Sequence, residues 1–284
     1  MEHFGGAGHS LEIVKKLEKN GMLIGIDRDE EALQTARTKL SDYQNIKYIH
    51  DNHDNIDEIL KSLDIAGADG ILLDLGVSSY QIDNIDRGFS YMNEDAPLDM
   101  RMDKTASISA REVINDYSEE ELYRIINEYG EEKFASRIAK NICIARKNKE
   151  LEKTGELVEI IRKSIPAKFQ NNGHPAKKTF QAIRIEVNNE IEPLYNTVKA
   201  SINALNKGGR LCIITFHSLE DRAVKNAYIE ASGVCTCPKD LPYCVCGAVS
   251  LGKIVTKKPI IPTDEEMQEN SRAKSAKLRI FEKN

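Results

Sequence analysis

Two aspartates in this chain stand directly after short apolar runs. Ile71, Leu72 and Leu73 read as a buried parallel strand, and Asp74 follows at its carboxyl end. In open α/β sheets, ligands bind in the crevice outside those ends. Gly76, Ser78 and Ser79 then keep the chain close and polar, which suits a site holding a polar group beside a cofactor. Asp74 could instead serve only as a helix N-cap. The second aspartate, Asp27, closes a strand over residues 21–27 and lies 19 residues beyond Gly8. Nucleotide-binding sheets place a ribose carboxylate about 20 residues after their glycines, because a carboxylate accepts from both ribose hydroxyls. Gly5, Gly6 and Gly8 precede a helix with Leu11, Val14 and Leu17 on one face, and Ser10 is placed to cap it. Glycines there let the backbone approach a ligand closely. The loop lacks the third glycine of Gly-x-Gly-x-x-Gly and by itself could be a simple turn. Loop and Asp27 together point to an adenosine-type ligand.

Other reactive residues are less committed. Cys235, Cys237, Cys244 and Cys246 form two Cys-x-Cys pairs. Four thiolates suit tetrahedral zinc, but structural sites more often space each pair by two or more residues, so free thiols in a surface loop remain open. Cys143 and Cys212 sit in apolar contexts and read as core residues. His174, before Pro175, could contact phosphate or serve as a turn residue. His217-Ser-Leu-Glu-Asp221 follows a strand over 211–216 and faces the same crevice as Asp74 by position, although Ser218 and Asp221 could simply cap the next helix.

These residues need a scaffold. Glycine loop, helix, strand to Asp27, helix over 30–40, strand over 46–49, helix and strand to Asp74 alternate, which implies a parallel sheet with helices on both faces. From 104 to 178 the period becomes helical, with Ser118 and Glu121 resembling a capping box and Leu122, Ile125 and Ile126 a buried face. Apolar residues from Phe180 to Leu205 step by three or four, and Pro193 should divide that helix, with Asn188 available to cap its second part. Strands over 254–257 and 276–281 close the chain.

Net charge is −5, which argues weakly against nucleic acid, but the average hides an asymmetry. Residues 133–178 carry 12 Lys or Arg against 4 Glu, a local +8, while residues 112–132 carry 8 acids and one base. Such a block is an electrostatic footprint for RNA or a solvated helix surface. No apolar run is long enough for a membrane span and no signal peptide is evident, so a cytoplasmic location is the default expectation.

Several long motifs occur in one order: Asp74-Leu-Gly-Val-Ser-Ser79, Arg87-Gly-Phe-Ser90, Pro97-Leu-Asp-Met-Arg-Met102, His174-Pro-Ala176, Thr179-Phe-Gln-Ala-Ile-Arg184, Phe216-His-Ser-Leu-Glu-Asp-Arg222 and Ser275-Ala-Lys-Leu-Arg279. They resemble the bacterial 16S rRNA (cytosine-N4)-methyltransferase family called RsmH or MraW, from about residue 5 to the end. The resemblance implies a Rossmann-like class I methyltransferase sheet with an inserted helical domain. Its segments would be 1–103 and 179–284 for the methyltransferase domain, and 104–178 for an insertion that helps hold RNA. It implies S-adenosylmethionine as cofactor, the small ribosomal subunit as partner, and a cytosine N4 in the decoding region as the methylated atom. Cofactor contacts would fall on Ala7, Gly8, His9, Asp27, His53, Asp74 and Gln81, with His53 where the family usually has a larger aromatic ring. Asp74 would accept the amine proton, and Phe89, Tyr91 or Phe216 would stack on the extruded base. The family's chemistry needs no metal. Upstream, the family enters its glycine loop through Asp-x-Thr-x-Gly, where this chain has Met1 and His3. The expectation is therefore a missing first strand and an N-terminally truncated sequence. A catalytically weak RNA-binding or ribosome-assembly protein is the alternative from another class, distinguished by loss of cofactor binding. A nicotinamide dehydrogenase would share the loop and Asp27 but has no hydride-transfer site here.

Overall fold

The computed structural model describes residues 2–3, 7–171, 173–235, 237, 241, 243, 245 and 247–284. The chain forms two compact units, Met1–Gly76 with Ile191–Asn284, and Val77–Glu190.

The first unit is built on strands. In order it holds β1 (Glu2–His3), α1 (Gly8–Lys16), β2 (Leu23–Asp27), α2 (Glu30–Lys39), β3 (Ile46–His50), α3 (Ile56–Ser62) and β4 (Ala68–Asp74). β1, β2 and β3 pair side by side in parallel, with Glu2 opposite Gly25 and Asp27 opposite His50. β2 is buried along its whole length, as its apolar run requires. Asp29 starts α2 by accepting from Glu31 N, with Glu30 and Glu31 in the first turn and Arg37 and Lys39 in the last, complementing the helix dipole.

The second unit is helical: α4 (Ser79–Asp83), α5 (Ala110–Asp116), α6 (Glu119–Glu128), α7 (Ala135–Arg146), α8 (Thr154–Ser164) and α9 (Lys177–Asn188). Ser118 and Glu121 form the expected capping box at α6, and Leu122, Ile125 and Ile126 are fully buried. The apolar core of this unit joins Phe89, Leu98, Met100 and Met102 to Ile138, Ile161, Phe180 and Ile183. Because residues on both sides of 104–178 share that core, the compact unit is wider than the expected insertion.

The chain then returns to the first unit with α10 (Leu194–Ala204), β5 (Leu205–Thr215), α11 (Ser218–Ala231), β6 (Gly252–Ile254), α12 (Asp264–Glu269) and β7 (Lys277–Lys283). β5 runs parallel to β4, β7 antiparallel to β5, and β6 antiparallel to β7. Pro193 divides the long helical stretch as expected, but it is itself the N-cap of α10. Asn188 does not cap that helix; its amide donates to Met100 O (2.7 Å) and its carbonyl accepts from Met102 N (2.8 Å).

Two expectations about the sheet change. A first strand is present: Glu2–His3 pairs with β2, although only over two residues. Among the described residues, the hydrogen-bonded ladders form two groups, β1-β2-β3 and β4-β5-β7-β6, and not one continuous sheet. β1 nevertheless packs against β4 as well as β2. The result is a mixed α/β, methyltransferase-like fold with an inserted helical region. No helix among the described residues is long and apolar enough to cross a membrane.

Candidate active site

Within the first unit, the first turn of α1 meets the end of β4. Ala7 adopts a left-handed backbone (φ 59°) as N-cap of α1, and its side chain is buried. Gly8 opens on empty space, since a Cβ there would meet no heavy atom within 4 Å. The first turn of α1 carries no acid. The first N–H groups of an α-helix lack intrahelical partners, so this turn favours an anionic ligand group. His9, on the same turn, places Nε2 3.8 Å from Asp74 Oδ2, with the two side chains 55% and 31% exposed. Residues far apart in sequence are thus brought together in a solvent-reachable pair.

Asp27 is 1% exposed at the end of β2. Its Oδ1 accepts from Asp29 N at 2.8 Å, which fixes the carboxylate's orientation, while its backbone oxygen accepts from Asp51 N at 3.2 Å. Across the register, His50 directs Nε2 to Arg28 O at 3.2 Å. His53 lies in the short helical turn His53–Asn55, largely shielded, with Nε2 3.6 Å from Asp54 Oδ1. Asp54 in turn accepts from the Thr197 hydroxyl, anchoring that turn on α10.

Gln81 falls in the other compact unit. It is 1% exposed, and its side-chain oxygen accepts from Ser78 N (3.0 Å) while Ser78 Oγ accepts from Gln81 N (3.2 Å). This capping box starts α4. The Ser-x-x-Gln spacing was the signal for it. Of the rings offered as base platforms, Phe89 is buried beneath the Arg87 guanidinium at 5.9 Å. Tyr91 stacks on His174 at 4.5 Å and meets Phe180 edge-on. Phe216 is half-buried just past β5.

The loop after β5 is capped differently from expectation. His217, not Ser218 or Asp221, is the N-cap of α11, and buried Glu220 accepts from Phe216 N (2.7 Å) and His217 N (3.2 Å). Asp221 pairs with Arg279 (2.7 Å) and Lys277 (3.3 Å) on β7. Burial opposes its charge, but those two cations hold its carboxyl below the ordinary value. Its role is to fasten α11 to the sheet. Cys237 Sγ accepts from Val245 N, while Cys244 and Cys246 lie outside the described residues.

The motifs of the second unit brace one another. Arg87 donates to Arg101 O (3.0 Å) and Met102 O (2.9 Å), and Arg101 forks onto Asp99 (2.7 and 3.1 Å). At Gly88 (φ 67°) a Cβ would stand 2.1 Å from Pro97 O, so only glycine fits there. Arg184 and Glu190 form a second fork, at 2.8 Å for both bonds.

Sequence comparison places this architecture among known proteins. Over 279 residues the chain is 58% identical to "Ribosomal RNA small subunit methyltransferase H" of Clostridium botulinum (strain Kyoto / Type A2), covering 98% of this chain and 90% of that protein. The protein of the same name from Clostridioides difficile (strain 630) is 54% identical over 281 residues, with 98% and 90% covered. "Ribosomal RNA small subunit methyltransferase H 2" of Agathobacter rectalis is 53% identical over 282 residues, with 99% and 90% covered. The MraW methylase family model matches residues 2–284, essentially the whole chain, and the protein belongs to that family.

Proposed function

We propose that the protein methylates the exocyclic N4 of a cytosine in 16S rRNA, using S-adenosylmethionine. The observation that carries this reading is membership of the methylase family over residues 2–284. The first unit fits the cofactor's chemistry. A buried carboxylate at Asp27 suits a ribose diol, the open space beside Gly8 admits close backbone approach, and the acid-free first turn of α1 suits an amino-acid carboxylate. When bound, S-adenosylmethionine supplies a methyl group activated on a sulfonium.

The protein's residues divide the remaining work. The cytosine amine is a weak nucleophile because its lone pair is delocalised into the ring, so alignment is the main requirement. Asp27 would anchor the ribose, Ala7, Gly8 and His9 would line the amino-acid end, and His53 would lie beside the adenine. Asp74, at the end of β4, accepts the proton that the amine must lose as its nitrogen gains a methyl group. His9, 3.8 Å away, orients that carboxylate. Gln81, seated in its capping box, fixes the loop that follows Asp74. The base must leave its stack to reach such a carboxylate. In the finer reading of the fold, β1 sits between β2 and β4 as the centre of one class I sheet, and the second unit holds rRNA.

The test is incubation of the protein with small ribosomal subunits, and separately with free 16S rRNA, plus labelled S-adenosylmethionine. Nucleoside mass spectrometry should find N4-methylcytidine in at least one. Label on another atom, or none on either substrate, overturns the reading.

A further inference from the structure

The 12 cations of residues 133–178 are not equivalent once folded. Where α7 ends and α8 begins, three of them are engaged internally. Arg146 donates to Ile114 O (2.7 Å) and Tyr117 O (2.5 Å), Lys149 pairs with Glu156 at 2.7 Å, and Lys153 pairs with Asp95 at 2.9 Å.

The opposite end of the same helix pair is arranged differently. Asn141 donates to Ser164 Oγ at 2.8 Å, which sets the middle of α7 against the end of α8. The Phe134 and Phe169 rings lie there with centroids 5.2 Å apart, tilted by 51°. Gln170 ties the Phe169 segment to α8 by donating to Arg162 O (2.9 Å) and Ile165 O (2.7 Å). Phe169 is 53% exposed, and Lys168 Nζ stands 5.0 Å from its centroid. Lys133 adjoins Phe134, Arg137 follows it by three residues on the same helix face, and Arg162 lies in the last turn of α8. Lys133, Arg137, Arg162 and Lys168 are exposed and, among the described residues, none has an ion-pair partner. The neighbouring acids form their close contacts elsewhere. Glu132 is buried and accepts from Phe134 N, and Glu159 is taken by Lys163 at 2.6 Å.

We infer that this end of α7 and α8 is a subsite for single-stranded RNA, with Phe169 as a stacking platform for an unpaired base and Lys133, Arg137 and Lys168 on the flanking phosphates. An exposed ring framed by unanswered cations matches a strand that offers base faces and phosphates together. A duplex hides its base faces and fits the ring poorly. The proposal rests on the reading of rRNA as substrate and narrows it to named side chains.

The experiment uses the full chain and a short, fluorescently labelled single-stranded oligoribonucleotide, titrated across a salt series. The triple variant K133Q/R137Q/K168Q should flatten the salt slope by about two, at roughly 0.7 per single-strand contact. K149Q/K153Q, altering cations already paired, should leave it unchanged. F169A should weaken single-strand binding about tenfold at fixed salt, the scale of one lost base stack, while F169Y retains it. A duplex of the same sequence should bind F169A and the parent alike. An unaltered slope in the triple variant overturns the proposal, as does unweakened binding by an F169A protein that melts like the parent, or equal losses on duplex and single strand. Methylation of 16S rRNA by the parent protein, measured alongside, decides the broader reading independently.

Discussion

The strand-end carboxylates of the first unit and the acids of the second are used in opposite ways. In the first unit, Asp27 and Asp74 sit at strand ends, one sealed and oriented, the other half-open beside His9. In the second unit, acids are spent on the chain itself. Glu190 is forked by Arg184, Asp99 by Arg101, and Glu156 accepts from Lys149 and from the N–H groups of Glu152 and Lys153. The difference lies in the partners the fold supplies. A helix start or a nearby guanidinium satisfies an acid locally, whereas a strand end in an α/β layer presents it to whatever enters the crevice. Burial alone does not separate the two kinds, since Asp27 is as sealed as any scaffold acid.

The contrast predicts different readouts for similar substitutions. The largest effect is expected at Asp74. Asp74→Ala should lower single-turnover methyl transfer by about 10²- to 10⁴-fold, the range of a lost proton acceptor, with little change in melting temperature. Near-parental turnover would remove Asp74 from the chemistry. Glu190→Ala should act in the other currency. Leaving Arg184 without its fork should destabilise the protein by about 3 kcal/mol, read from the urea midpoint. An unmoved midpoint would mean that the second unit's acids are not scaffold.

Asp27→Ala should weaken S-adenosylmethionine by about 1.5–3 kcal/mol in calorimetry, the scale of charge-assisted hydrogen bonds. Asp27→Asn, which keeps an acceptor for Asp29 N, separates ribose binding from local folding. Equal cofactor affinity in parent and Asn variant would show that the charge is not used on the ligand. The smallest effect belongs to Glu156. The Lys149 hydrogen bond, opposed by burial and aided by the backbone N–H groups of Lys153 and Glu152, lowers its carboxyl from 4.5 to about 2. A group lowered on folding stabilises the protein above its unfolded value, and that contribution fades as pH falls from about 4.5 toward 2. Glu156→Gln should therefore cost about 1 kcal/mol near neutrality, after allowance for solvent screening, and progressively less in acid. A deficit independent of pH would assign the role to shape and not to charge.

Legibility in the sequence followed the range of the interactions. Strand-end acids, the Ser118 box and the break at Pro193 are local, and periodicity or spacing discloses them. The Glu2–His3 strand is too short to carry a period; its pairing partner on β2 alone makes it a strand. Asn188 had the right type for a cap, but its bonds go to Met100 and Met102, 88 and 86 residues away. The basic block over 133–178 was legible as charge alone; that Lys149 and Lys153 within it pair with Glu156 and Asp95 was not. The resemblance put His9 and Asp74 at one cofactor, but their direct pairing was not legible, because nothing in the spacing fixes where α1 begins relative to β4.

The unequal lengths of the ladders have a kinetic consequence. β4 and β5 share a continuous register from Gly70 to Asp74, and β5 continues against β7 through Thr215, whereas β1 meets β2 at two positions. Amide deuterium uptake should therefore be graded along the first unit, slowest in Ile71–Leu73 and Leu211–Ile213 and fastest in the two-rung ladder. Because that ladder leads directly into the glycine loop, a ligand seated there would slow uptake selectively at Gly25 and Ile26. Exchange at those amides would then report occupancy of the loop without any catalytic turnover.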